Sequence, residues 1–133
     1  MAKRKLRVLI AKFGDGYENA LLKLAGACSE AGFEVIYTDL QDPRAIVAAA
    51  IQEAVDHIGI TALPGADIED FGQIFKLLKE NGVDHIRVTA GGFLPDEDLS
   101  CMKEMGVLDF YPKGSIYNRI DQWTRDFGES TEP

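Results

Sequence analysis

Short aliphatic and β-branched runs alternate with longer segments of helical apolar spacing along nearly the whole chain, and few architectures accept that alternation. Residues 6–12 (LRVLIAK) read as a first strand. Residues 17–31 place Ala20, Leu21, Leu24, Ala27 and Cys28 at helical spacing, with Gly32 as the stop. Residues 33–37 read as a second strand. Asp42-Pro43 is a helix-start signal ahead of 44–54. A third strand at 57–61, a helix at 68–81 closed by Gly82, and a fourth strand at 85–90 follow. A helix at 95–105 stopped by Gly106, a short strand at 107–111 and a last helix at 115–127 complete the series.

Five strands alternating with five helices predict an α/β fold with one parallel sheet and helices on both faces. Right-handed crossovers leave few topologies, and the doubly wound, flavodoxin-like order 2-1-3-4-5 is the natural one. Residues 1–128 form one domain in this reading, and 129–133 a frayed, flexible C-terminal tail. In such sheets ligands bind beyond the carboxyl ends of the strands, where the strand order reverses. The crevice therefore belongs between the segments after the first and third strands.

Composition removes whole classes of function. The net charge of −8 repels phosphate backbones, so nucleic acid is not expected as a partner. The basic cluster Lys3-Arg4-Lys5 reads as a solvated tag. No apolar run approaches the roughly 20 residues of a membrane span, and no secretory signal is evident. The two cysteines, Cys28 and Cys101, form no CxxC pair and fit a reduced, cytoplasmic protein; both are expected on buried helix faces.

The crevice loops are rich in small residues: Gly14-Asp15-Gly16-Tyr17 after the first strand, Thr61-Ala62-Leu63-Pro64-Gly65 across the end of the third, and Gly91-Gly92 after the fourth. Glycines suit either tight turns or close approach of a ligand to the backbone. Asp15 and Glu18 disfavour a phosphate at the first loop. There is no Walker-type Gly-Lys-Ser/Thr and no complete GxGxxG. A phosphorylation receiver needs an acidic pair after the first strand and an acceptor aspartate after the third. Ala11-Lys12-Phe13 and Thr61-Ala62-Leu63 stand there instead, so Thr89 and Lys113 carry no receiver chemistry.

Three separated motifs, in order, carry a resemblance over about residues 6–125. Val8-Leu-Ile-Ala-Lys-Phe-Gly14 with Asp15-Gly16-Tyr17 resembles the VLVAKMGxDGHDRG opening of the cobalamin-binding domain of methylmalonyl-CoA mutase and its relatives. Thr61-Ala62-Leu63 matches the family's S-x-L, and Gly91-Gly92 its glycine pair. In the D-x-H-x-x-G motif, Asp15 keeps the aspartate, Tyr17 replaces the cobalt-ligating histidine and Ala20 replaces the glycine. The segment is also one residue shorter before Asp15.

The resemblance implies a cobalamin site built from Asp15, Gly16, Tyr17, Thr61, Leu63, Gly91 and Gly92. In the family the aspartate orients the ligating histidine, a supporting role. Tyr17 is a poor cobalt ligand, because a phenol titrates near 10 and a neighbouring carboxylate raises that further. His57 and His85, at the amino ends of their strands, are on the wrong edge to substitute.

The function implied is the cobalamin-binding subunit of a coenzyme-B12-dependent acyl-CoA mutase. It is not catalytic alone and is partnered by a separate TIM-barrel subunit that carries the acyl-CoA site. Adenosylcobalamin is expected over methylcobalamin, because the five residues before the first strand leave no room for the helical domain of methyl-transferring relatives. The alternative is a degenerate paralogue that has lost cobalamin and acts as an assembly or regulatory module.

Overall fold

The computed structural model describes residues 3–16, 18–92, 96–108, 110–112 and 129–131. In chain order the elements are β1 (Lys3–Lys5), β2 (Arg7–Phe13), α1 (Glu18–Glu30), β3 (Glu34–Tyr37), α2 (Pro43–Gln52), β4 (His57–Ala62), α3 (Ile68–Glu80), β5 (Arg87–Gly92), α4 (Asp96–Met105), β6 (Phe110–Pro112) and β7 (Glu129–Thr131). The expected helix at 115–127, with Trp123, lies outside the described residues.

Four strands, β3-β2-β4-β5, form a parallel sheet in that order. β6 runs parallel beside β5, with Ala90 opposite Phe110 and Gly92 opposite Pro112. The central strand β2 is buried at every position after Arg7, which is why its sequence is a nearly unbroken apolar run. β1 pairs antiparallel with β7 outside this sheet, Lys5 lying opposite Glu129. The basic tag and the C-terminal tail of the sequence thus meet in a small ribbon.

Helices cover both faces. On one, Leu9, Ala11 and Phe13 of β2 with Ile58 and Ile60 of β4 pack against Ile46 and Val47 of α2, Phe71, Ile74 and Leu78 of α3, and Met102 of α4. Phe71, Ile74 and Leu78 recur at helical spacing and form the buried stripe of α3. On the other face Val8 and Ile10 meet Leu21 and Cys28 of α1, with Leu63. Cys28 is buried as expected; Cys101 is exposed on α4, a correction to the sequence reading.

Local chemistry starts and stops these helices. Asp42 accepts from the Arg44 N–H at the α2 N-terminus, with Pro43 in the first turn. Asp67 does the same for α3 through the Glu69 N–H, at 3.0 Å. α2 is capped at Glu53, and the next residue, Ala54, has a left-handed φ of +53° without being glycine.

β5 starts two residues later than the sequence suggests. Ile86 N–H turns back to the Val83 carbonyl, and the ladder opens only where Arg87 N–H reaches the Asp56 carbonyl. The strand then runs on through Gly91 and Gly92, so the glycine pair lies in the sheet and not in the loop beyond it.

Candidate functional site

The carboxyl edge of the sheet is level. Phe13 lies opposite Ala62, and Ala62 opposite Gly92. The strand order reverses between β2 and β4, so the loops that follow them mark the edge where folds of this kind hold ligands. The ring of Phe13 meets Phe71 edge to face, centroids 5.1 Å apart, which fixes the start of α3 beneath this edge.

Beyond the strands the two loops are joined main chain to main chain. Leu63 N–H donates to the Phe13 carbonyl at 2.7 Å, and Asp15 N–H to the Pro64 carbonyl at 3.2 Å. Gly14 sits between them at φ +96°, where a Cβ would lie 2.5 Å from the Leu63 oxygen and 2.7 Å from the Pro64 oxygen. Only glycine fits. The Gly14 N–H points the other way, to Oε1 of Gln41 at 2.8 Å. Gly92, at φ +105°, is equally constrained, because a Cβ there would overlap the Ala62 carbonyl oxygen. Gly16 and Gly65 also have positive φ, but among the described residues beyond their chain neighbours no heavy atom lies within 4 Å of the place a Cβ would take. The rim therefore combines two glycines required by backbone contact with two that leave open space.

The side chains of the sequence-derived site divide in the same way. Asp15 is exposed at the mouth, and Gly16, Gly91 and Gly92 are half-buried. Thr61 is half-buried on β4, directly opposite Gly91 on β5. Leu63 packs into the core beneath α1. Tyr17 lies outside the described residues. Two contributors at this edge were not singled out from sequence: Gln41, and Lys12, buried at the end of β2. The Gln41 role has no signature in the pattern, because it depends on a loop side chain meeting a backbone amide 27 residues away.

The mouth is acidic. The carboxyl of Asp70 is raised above its ordinary range, first by burial and then by Asp67, Glu69 and Asp42. The N-termini of α2 and α3 are already capped by Asp42 and Asp67, so they do not offer themselves to a phosphate. Among the described residues no group of three or more His, Cys, Asp or Glu side chains could hold a metal ion.

Both histidines lie at the far edge of the sheet. His57 is opposite Val8 and Arg87 at the amino ends of the strands, 2% exposed, its Nε2 2.8 Å from Oγ1 of Thr89. Burial holds its imidazole down, to about 3, and Arg87 adds to this. His85 is exposed beside a hollow of about 240 Å³ floored by Phe75, Leu78, Ile86 and Val88. Neither is placed to reach the crevice.

The fold is a doubly wound α/β domain that carries a glycine-lined rim at its topological switch point, the edge where such folds hold ligands. A family described as the B12 binding domain matches residues 6–112, and the chain belongs to that family. It is 42% identical over 111 residues to the 2-hydroxyisobutanoyl-CoA mutase small subunit of Aquincola tertiaricarbonis, covering 82% of each chain. It is 32% identical over 130 residues to the pivalyl-CoA mutase small subunit of Xanthobacter autotrophicus, covering 96% of this chain and 87% of that one. With ethylmalonyl-CoA mutase of Methylorubrum extorquens it shares 34% identity over 117 residues, 86% of this chain but only 17% of that enzyme.

Solved structures agree on the fold. A cobalamin-binding protein from Desulfitobacterium hafniense superposes with a TM-score of 0.73 at 17% identity, over 90% of this chain and 58% of that one. A response-regulator receiver domain from Mycobacterium tuberculosis superposes at 0.68 and 19% identity, over 92% and 94% of the two chains. The receiver shares the scaffold, but its chemistry would need acidic residues where Lys12, Phe13 and Ala62 stand here.

Proposed function

We propose that this chain is the cobalamin-binding small subunit of a coenzyme-B12-dependent acyl-CoA mutase, acting with a separate TIM-barrel subunit that holds the acyl-CoA. The observation that carries this is the match to mutase small subunits along more than four-fifths of both chains. The rim suits a largely uncharged group that approaches the backbone closely. It is built of backbone and glycine, Gly16 and Gly65 leave open space, and its acidic mouth disfavours a free phosphate.

In this reading Asp15 and Thr61 offer hydrogen-bonding groups, Gly16, Gly91 and Gly92 permit close approach, Leu63 backs the slot, and Tyr17 stands at the position of the lower ligand. The cofactor, when bound, supplies the radical chemistry of the mutase, and adenosylcobalamin is the form proposed. The complete domain carries five parallel strands in the order 2-1-3-4-5, and it works in the cytoplasm.

Tyr17 in place of histidine favours binding in which no protein side chain ligates cobalt. The test is titration of the purified chain with adenosylcobalamin and hydroxocobalamin, followed by gel filtration and absorbance. Co-elution with the base still on cobalt is expected, and Tyr17→His should shift the spectrum to base-off. No retention at tens of micromolar would instead make the chain a paralogue without cofactor, working through assembly or regulation.

A further inference from the structure

The pairing of β2 with β3 stops early. Its last main-chain bond runs from Thr38 N–H to the Ile10 carbonyl, after which the β3 chain departs toward α2. β2 continues to Phe13, and the next residue, Gly14, turns its N–H toward the place β3 has left. Gln41 fills that place with a side chain, its Oε1 accepting from Gly14 N–H at 2.8 Å. The same peptide unit is held on its other side, where the Phe13 carbonyl accepts from Leu63 N–H. One peptide plane is thus clamped from two directions, and Asp15 leaves it along a fixed path, its own N–H on the Pro64 carbonyl.

The clamp has a firm base. Gln41 is half-buried and immediately precedes Asp42 and Pro43, which lock the first turn of α2. Without the Gln41 acceptor, the half-buried Gly14 N–H loses its partner, and the turn at φ +96° is held by the β4 side alone.

We infer that Gln41 is a positioning residue of the cofactor crevice, holding Asp15 and Gly16 ready for the ligand by standing in for the missing strand. This rests on the cobalamin reading proposed above. A loop ordered before binding carries no ordering cost at binding, so removing the acceptor should weaken affinity by about tenfold or more. Gln41 is not itself part of the buried apolar core, so the core packing should be largely kept.

The test titrates the wild-type chain, Gln41→Leu, Gln41→Asn and Gln41→Glu with hydroxocobalamin and adenosylcobalamin, and follows exchange of the Gly14 amide by NMR. Leucine removes the acceptor, asparagine is too short to reach, and glutamate retains an acceptor at the same length. Wild type and Gln41→Glu are expected to bind within about threefold of each other with a protected Gly14 amide. The leucine and asparagine variants are expected to bind about tenfold or more weakly, with fast Gly14 exchange and melting temperatures lowered by only a few degrees, so that they stay folded in the assay.

Wild-type affinity in Gln41→Leu despite fast Gly14 exchange would overturn the inference. So would a Gln41→Glu protein as weak as Gln41→Leu, or weak binding only in variants that have unfolded at the assay temperature. If the wild-type chain itself takes up no cobalamin, the functional reading fails and this one with it. That outcome is distinct, because it is seen before any variant is compared.

Discussion

Acid should destabilise this domain chiefly through His57. The side chain lies at the start of β4, 2% exposed, with Nε2 bonded to Thr89. Burial, then the Arg87 charge, depress its pKa from 6.5 to about 3, with Asp56 opposing. A folded pKa below the unfolded one means the unfolded chain takes up the proton first. The stabilisation is therefore fully present above pH 6.5 and is lost as pH falls from there toward 3. Each pH unit well inside this window removes about 1.4 kcal/mol. From neutrality to pH 5 the loss is about 2 kcal/mol, a large share of the 5–15 kcal/mol typical of a domain. For a chain of this size that lowers the melting temperature by roughly 6–8 °C. His57→Gln removes the titration while keeping a polar group that can reach Thr89. The assay is the difference between wild-type and His57→Gln melting temperatures from pH 7.5 to pH 4.5. Taking the difference cancels the carboxylates, including Asp70. The gap should narrow steadily below pH 6.5 as the wild type loses ground. Parallel curves would refute the assignment of acid sensitivity to this histidine.

Ala54→Gly should stabilise the chain by about 0.5–1 kcal/mol in urea unfolding, because Ala54 holds a left-handed φ of +53° at an exposed helix end. Gly92→Ala should cost several times more than Gly16→Ala, since the former meets the Ala62 carbonyl and the latter open space. Backbone strain alone sets the Gly16→Ala cost at roughly 1–2 kcal/mol, and equal losses in urea titrations would contradict the geometry. Thiol labelling at neutral pH should modify exposed Cys101 within minutes. Cys28, buried with its thiol pushed up to about 11, should react only on unfolding.

The elements were legible because their signals are local. Asp42-Pro43 announces a helix that begins where it says, and the apolar run of β2 announces a strand buried on both faces. The strand order behind the proposed address of the site was legible from the alternation of elements. The glycines were visible but not their reasons. Gly91-Gly92 read as a place of close ligand approach, and the structure shows Gly92 answering first to the β4 backbone. Leu63 was legible as part of a motif, whereas its burial under α1 needed the third dimension. Cys101 was misplaced because helical spacing on α4 does not reveal which face meets the sheet. Gln41 stayed silent because a long-range bond from side chain to backbone leaves no period in the sequence.

The main-chain lacing of the crevice rim has a consequence for divergence. The rim's shape is held by glycine torsions and amide–carbonyl bonds, to which Asp15 lends its backbone N–H while its exposed side chain is left free to vary. Such a rim separates two inheritances: a frame that tolerates almost no change, and a decorated edge on which substitutions drift at little risk to folding. New ligand preferences, or the abandonment of a ligand, can then arise by exchange at the edge while the frame passes down intact.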